Sequence, residues 1–386
     1  MEENHHIILF SALDWGLGHT TRSIPILTHF NKKGCQLFIA VQPGSASEKI
    51  LQRHFPDAIY QPLQGYGITY ARKKRFFALK ILLQVPKILQ AIQREHRFVK
   101  KTASAYPIQL IISDNRYGFY HRSVPSIFIT HQLRIAAPLK ILENWIQHIN
   151  YRYIRRFSQV WIPDFKGKPN LAGLLSHPRK MPLPVAHYIG PLSRLTEPAF
   201  DKAEPAQCQS HQAVSSCKYL FLLSGPEPQR SILEKRLLET AHRLPGKSVL
   251  VRGLPAEVNA AHGSPDTEHQ PETLSVIGYA NPTFLLHLIQ SADFIVCRSG
   301  YSTVMDLILL GKKGIYIPTP GQTEQEYLAK HLMHQHWGFS FSQDEVDYTS
   351  LLAQAGQFNY QLPVVEKGNL EQIIHQIGPL TESGDF

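Results

Sequence analysis

Charged side chains are scarce in this chain, at 18% of residues, and sulfur is scarcer, with four cysteines and four methionines in 386 residues. Low charge beside 43% hydrophobic and 10% aromatic residues excludes a disordered polyelectrolyte and leaves ample material for packed cores. Cys35, Cys208, Cys217 and Cys297 form no C-x-x-C pair and are too sparse for a disulfide framework. They read as free thiols of a reducing compartment, and zinc is not expected. No apolar run is long enough to cross a bilayer, and the opening MEENHH lacks the basic n-region of a signal peptide. A cytoplasmic protein is expected.

What is present is length and positive charge. A chain of 386 residues exceeds the size at which one core keeps growing, so two domains are expected. The formal charge of +10 calls for nucleic acid, an anionic membrane face or a phosphorylated substrate, and charge alone does not choose among them.

The stretch 291–336 is the most informative. Residues 294–297 are a short apolar run ended by Arg298, Ser299 and Gly300, after which apolar residues recur at helical spacing to Gly311. Residues 314–317 read as the next strand, 318–323 as a Pro/Gly loop, and 324–336 as the next helix. Two successive strand ends thus carry polar residues at the edge where open α/β sheets bind ligands, with helix N-termini able to meet a phosphate.

At the other end of the chain, residues 6–12 read as a strand buried on both faces, leading to Asp14-Trp15-Gly16-Leu17-Gly18-His19-Thr20-Thr21-Arg22. Gly16 and Gly18 permit a tight turn, Thr20 or Thr21 can cap the next helix, and His19 stands at the mouth of the sheet. Asp14 either orients that imidazole or satisfies loop amides. Further strands at 110–112, 126–130 and 159–162 end at Asp114, His131 and Asp164. Asp114 is a helix cap or a site residue, and all these side chains could point into one crevice with His19.

Between them, a basic run at 71–75 precedes an apolar-faced helix from about 76, with Pro86 inside it. Two readings stand: a core helix kinked at Pro86, or a helix resting on an anionic membrane with Lys/Arg flanks. Residues 193–216 lose apolar periodicity and read as a linker. A second βα series then starts at 219–223 and turns at Ser224-Gly225, with a later turn at Tyr279. Residues 254–273 read as a polar surface loop, 347–355 and 369–377 as helices, and 381–386 as a loose tail. The histidines at 331, 334 and 336 read as a solvated helix end instead of a metal site.

In order and register, Arg298-Ser299-Gly300, Thr303, Asp306, the Pro/Gly loop, Gln322, Glu324 and Gln325 resemble the donor-binding half of GT-B glycosyltransferases, of the MurG-like and UDP-glucuronosyltransferase-like group (family 28 type). Gly18-His19 is similar to the Gly-His of their first turn. The resemblance implies an α/β fold of two facing Rossmann-like domains with a crevice between them. It implies that His19 is the base, with Asp114 facing the site and Gly16 and Gly18 shaping the turn. On the donor side, Asp306 would hold the ribose, one methylene shorter than the Glu of many relatives. Gln322, Glu324 and Gln325 would read the sugar, and Tyr279 would meet the base. Ser224, Gly225, Arg230, Arg298, Ser299, Gly300, Ser302 and Thr303 would meet the diphosphate, although Pro226 and Glu227 depart from the family's Gly-rich loop.

The expectation is therefore an N-terminal acceptor domain at 1–192, a linker at 193–216, a donor domain at 217–365 and a helix and tail at 366–386 returning to the first domain. The activity expected is an inverting hexosyltransferase, with a UDP-sugar as co-substrate and a lipid-linked or cell-envelope glycan hydroxyl as acceptor. No cofactor and no D-x-D metal site are expected, and the segment Arg72–Lys101 would meet an anionic membrane on the inner face of the plasma membrane. The rival readings are a nucleotide-sugar epimerase or hydrolase of the same fold, and a non-catalytic nucleic-acid binder, for which no interleaved basic and aromatic module is present.

Overall fold

The computed structural model describes residues 6–68, 82–135, 140–181, 185–196, 216–253, 273–365 and 370–377. The basic run with Phe76 and Phe77, Cys208, most of the expected linker, nearly all of the 254–273 loop and the tail lie outside the described residues. The described residues form two compact units, one running to Leu192 and including the last helix, the other spanning Ser193–Val365.

The first unit contains β1 (Ile7–Ala12), α1 (Gly18–Lys32), β2 (Gln36–Val41), α2 (Ala46–His54), β3 (Ile59–Pro62), α3 (Val85–Ala105), β4 (Ile108–Asp114), β5 (Ser126–Ile129), α4 (Lys140–Ile154), β6 (Gln159–Ile162) and β7 (Ala186–Tyr188). Its seven-stranded sheet has the order β3-β2-β1-β4-β5-β6-β7, with every pair parallel. Strands buried on both faces need apolar residues throughout, and Ile8, Leu9, Phe10, Leu110, Ile111 and Ile112 meet that need. The strand order reverses between β1 and β4, where Ala12 pairs with Asp114. Ligands of doubly wound sheets sit at this switch point.

Two local expectations change. Helix α1 begins at Gly18, so neither threonine caps it; Thr20 Oγ1 instead donates to Ser47 Oγ at 2.9 Å. Helix α3 begins at Val85, which puts Pro86 in its first turn. A missing N–H there breaks no helical bond, so Pro86 starts the helix instead of kinking it.

The second unit contains β8 (Cys217–Leu222), α5 (Gln229–Ala241), β9 (Ser248–Val251), β10 (Leu274–Ile277), α6 (Pro282–Ser291), β11 (Ala292–Cys297), α7 (Tyr301–Leu309), β12 (Lys313–Tyr316), α8 (Thr323–His334), β13 (Gly338–Ser340) and α9 (Tyr348–Gln357). Its parallel sheet has the order β10-β9-β8-β11-β12-β13, the same doubly wound pattern, with its reversal between β8 and β11. Tyr219, Phe221, Leu250, Val296 and Ile315 anchor the core on one face with Leu233 and Leu237 of α5. The expected linker begins too early: Arg194–Thr196 is a turn of 3-10 helix that belongs to the second unit and packs on α6 and α7.

Candidate active site

In the first unit the loop after β1 and the end of β4 bring together the two residues expected to be catalytic. Asp114 is the last residue of β4 and is fully buried. His19 stands in the first turn of α1, with its Nδ1 2.7 Å from Asp114 Oδ1 and its side chain 18% exposed. Arg22, one turn further along α1, donates through Nε to Asp114 Oδ2 at 2.7 Å and through Nη2 to Oδ1. Ser23 Oγ donates to Oδ2 at 2.9 Å. Burial alone would push the Asp114 carboxyl up, but Arg22 and His19 outweigh it and hold the group well below the usual carboxylate range.

Arg22 Nη2 also lies 2.9 Å from His19 Nδ1, and that nitrogen cannot both donate to Asp114 and accept from Arg22. With Asp114 ionised, the Nδ1 proton belongs on the carboxylate bond, which leaves Nε2 with its lone pair free to accept a proton. Arg22 Nη1 meets His131 Nδ1 at 3.0 Å, so the buried His131 joins the same cluster.

The other acids expected at this crevice do not join it. Asp14 Oδ1 accepts from Tyr66 N at 3.1 Å, which settles its role as a loop brace. Asp164 accepts from the N–H groups of Phe165, Leu171 and Ala172 and from Ser176 Oγ, a closed structural set. Arg22 was not anticipated. Its spacing of three from His19 puts both on one helix face and was the available signal.

In the second unit, Ser224 and Gly225 are exposed at the end of β8, and Gly225 has φ +99°. Gly300 stands just before α7 and makes no side-chain cap, so the N–H groups of Ser302 and Thr303 can face an anion. Two expected cations are spent internally. Arg298 is buried and donates to the carbonyls of Ile317, Pro318 and Gln229 and to Gln343 Oε1, between 2.6 and 3.3 Å. Arg230 is buried between Glu227 and Glu234, at 2.7 and 2.9 Å. Neither presents free charge to a diphosphate.

Ser299 Oγ donates to the carbonyl of Gln325 at 2.8 Å, and Gln325 Oε1 accepts from Thr319 N at 2.8 Å. These two bonds tie the start of α8 to the strand ends, so Gln325 acts as a brace while Gln322 and Glu324 stay half-buried beside it. The Thr319 hydroxyl is buried without a hydrogen-bond partner, and a Cβ on Gly225 would lie 3.9 Å from it.

Asp306 is half-buried on α7 and accepts from Ser193 Oγ at 2.5 Å. Burial raises its carboxyl to about 6, against the lowering influence of Ser193 and the Arg194 guanidinium. Burial lowers the Arg194 guanidinium's pKa while Asp306 and Tyr279 raise it, so it is electrostatically coupled to both residues expected to meet ribose and base. Sequence reasoning missed Ser193 and Arg194 because one turn of 3-10 helix is too short to show a period.

Two doubly wound parallel sheets, each with polar residues gathered at its switch point, define the GT-B architecture. Comparison with known proteins agrees. Residues 256–362 match the glycosyltransferase family 28 C-terminal domain. A stretch of 161 residues is 28% identical to a UDP-N-acetylglucosamine–N-acetylmuramyl-(pentapeptide) pyrophosphoryl-undecaprenol N-acetylglucosamine transferase of Nocardia farcinica, covering 40% of this chain and 41% of that protein.

Among solved structures, the glycotransferase of kitacinnamycin superposes with TM-score 0.64 at 12% identity, over 97% of this chain and 94% of its own. The spinosyn rhamnosyltransferase SpnG, complexed with thymidine diphosphate, gives 0.61 at 14% identity over 96% and 95%. MurG of Acinetobacter baumannii gives 0.53 at 15% identity over 96% and 95%. The chain has the GT-B fold, and its C-terminal unit resembles glycosyltransferase family 28.

Proposed function

We propose that the chain transfers a sugar from a UDP-linked donor, held by its C-terminal unit, to a hydroxyl of a lipid-linked or cell-envelope glycan acceptor held by its N-terminal unit. The observation that carries this reading is the His19–Asp114 pair at the switch point of the first sheet. His19 Nε2 takes the proton of the acceptor hydroxyl as that oxygen attacks the anomeric carbon. The new C–O bond forms as the bond to the diphosphate breaks on the opposite face, so configuration inverts. Asp114, ionised by its contact with Arg22, stabilises the imidazolium that results.

On the donor side, the half-buried Asp306 carboxylate accepts from the ribose hydroxyls, and Arg194 supplies the cation that Arg230 and Arg298 do not. The departing diphosphate is met by Ser224 and the N–H groups of Ser302 and Thr303 at the start of α7, without a metal. The relative of Nocardia farcinica is named for an N-acetylglucosamine donor and an undecaprenol-linked acceptor, and the family 28 match makes a related chemistry the first to test here.

A membrane surface belongs to the same proposal. Leu82 and Leu83 at the approach to α3 are 66% and 72% exposed, and Leu89 on α3 is 42% exposed. Apolar residues beside basic flanks suit an anionic bilayer. Among the described residues no helix is long and apolar enough to cross a membrane. The proposed location is the cytoplasmic face of the membrane.

The test incubates UDP-hexoses and UDP-N-acetylhexosamines with polyprenyl-diphosphate glycans and follows glycan mass and anomeric configuration. An inverted linkage formed by the parent and lost in His19→Ala is the expected result. Free sugar or epimerised donor without any acceptor product would favour the hydrolase or epimerase reading.

A further inference from the structure

Ser193 is the first residue of the Ser193–Val365 span of the second unit, and it is buried. Its hydroxyl makes two hydrogen bonds of opposite sense. The Leu195 N–H donates to Ser193 Oγ at 3.1 Å, and Oγ donates to Asp306 Oδ1 at 2.5 Å. An N–H cannot accept, so the single hydroxyl proton is committed to the carboxylate. The carbonyl of Ser193 accepts from Thr196 Oγ1 at 3.0 Å, and the turn of 3-10 helix that follows packs on α6 and α7 with Leu195 buried. Ser193 is held in place by its own turn before it meets Asp306.

Rotation about the last bond of an aspartate side chain is broad, so the carboxylate has little orientation of its own. One donor on one oxygen therefore decides where the other oxygen points. Oδ1 of Asp306 is taken by Ser193, while among the described residues no donor meets Oδ2, and the side chain is only half-buried. The Arg194 guanidinium favours the ionised form through its charge, and an ionised oxygen is the stronger acceptor.

A carboxylate oxygen held in this way takes hydroxyl protons and repels phosphate oxygens. The ribose hydroxyls are the part of a nucleotide that meets both conditions.

We propose that Ser193 is a positioning residue for nucleotide recognition: by holding Asp306 Oδ1 it turns Oδ2 to accept from a ribose hydroxyl, and so sets the preference over nucleotides that lack that hydroxyl. This rests on the donor reading above, in which Asp306 holds ribose; the role of Ser193 is a separate claim. A serine that only closed its own turn through the Leu195 bond would, when removed, weaken every nucleotide alike.

The test is calorimetry of the full chain with UDP, 2′-deoxy-UDP and 3′-deoxy-UDP across a pH range centred on about 6. The parent should bind one or both deoxy analogues about tenfold more weakly than UDP, the loss expected for a hydrogen bond to a charged group. Ser193→Ala and Ser193→Cys should bring that ratio to within about twofold. Cysteine is close to serine in size but donates weakly, so it carries the test if the alanine variant does not fold. Because Ser193 lowers the Asp306 carboxyl, both variants should also lose UDP affinity at a higher pH than the parent does. Variants that keep the parent's ratio and the parent's pH profile, whatever their absolute affinity, overturn the role of Ser193 and leave the donor reading standing. A parent that binds UDP with no preference among the three overturns it as well, by removing the ribose contact. A parent that binds no nucleotide refutes both readings.

Discussion

Replacing Asp114 by Asn changes one charge at nearly constant shape. In the parent, Asp114 accepts from His19 Nδ1 and Arg22 Nε, each at 2.7 Å, and from Ser23 Oγ at 2.9 Å, with Arg22 Nη2 as a fourth donor. An amide can accept only through its oxygen. With that oxygen toward Arg22 Nε and Ser23, its NH2 points at His19 Nδ1 and donates to it, which moves the ring proton to Nε2. The imidazole then has no lone pair for the acceptor. Loss of general-base catalysis should lower kcat/KM by about 10²–10⁴-fold, or roughly 3–5 kcal/mol of barrier. The buried Arg22 also loses its counter-ion, at a stability cost of about 3–5 kcal/mol. Rates are therefore measured well below the unfolding midpoint found by circular dichroism. His19→Ala should match the kinetic loss, and the double variant should be no slower than the slower single one, because the pair acts as a unit. A folded Asp114→Asn enzyme within about tenfold of the parent, or losses that multiply in the double variant, would refute the assignment.

The raised carboxyl of Asp306 gives two opposed effects. Its folded value of about 6 exceeds the ordinary 3.8, so its contribution to stability is full below the lower value and is lost as pH rises through the higher one. Asp306→Asn should flatten the pH dependence of the unfolding midpoint across that window while weakening UDP binding, and parent affinity should fall as pH drops below about 6; affinity independent of pH would sink the ribose contact. Arg298→Met should destabilise the second unit by about 3 kcal/mol or more, because buried carbonyls lose their donor, while the folded protein still binds UDP. Selective loss of UDP affinity with unchanged stability would restore Arg298 to the ligand. Leu82→Ser with Leu83→Ser should reduce flotation with anionic liposomes and leave stability almost unchanged, both side chains being exposed; equal flotation removes the membrane face.

The order of strands and helices was largely legible, because buried parallel strands and amphipathic helices write different periods into the chain. That His19 and Asp114 share one site was expected from their place at strand ends and turns and from the family resemblance, but their direct bond was not legible, since nothing in the local pattern says that β1 lies beside β4. Arg298 shows the same limit from the other side. A cation after a strand looks alike whether it faces a ligand or turns inward, and only the carbonyls of Gln229, Ile317 and Pro318 reveal its direction. Asp164 likewise looked free until its loop folded over it. Arg194 was hidden by a polar stretch with no period, although its guanidinium stands near Asp306.

The helix Leu370–Ile377 has a consequence for how the chain is made. It belongs to the first unit, with Ile374 buried and Glu371 3.8 Å from His29 of α1. A ribosome therefore begins the first unit and then synthesises the whole of the second before delivering this helix. The half that starts folding first is completed last, and for that interval a patch of its surface stays uncovered.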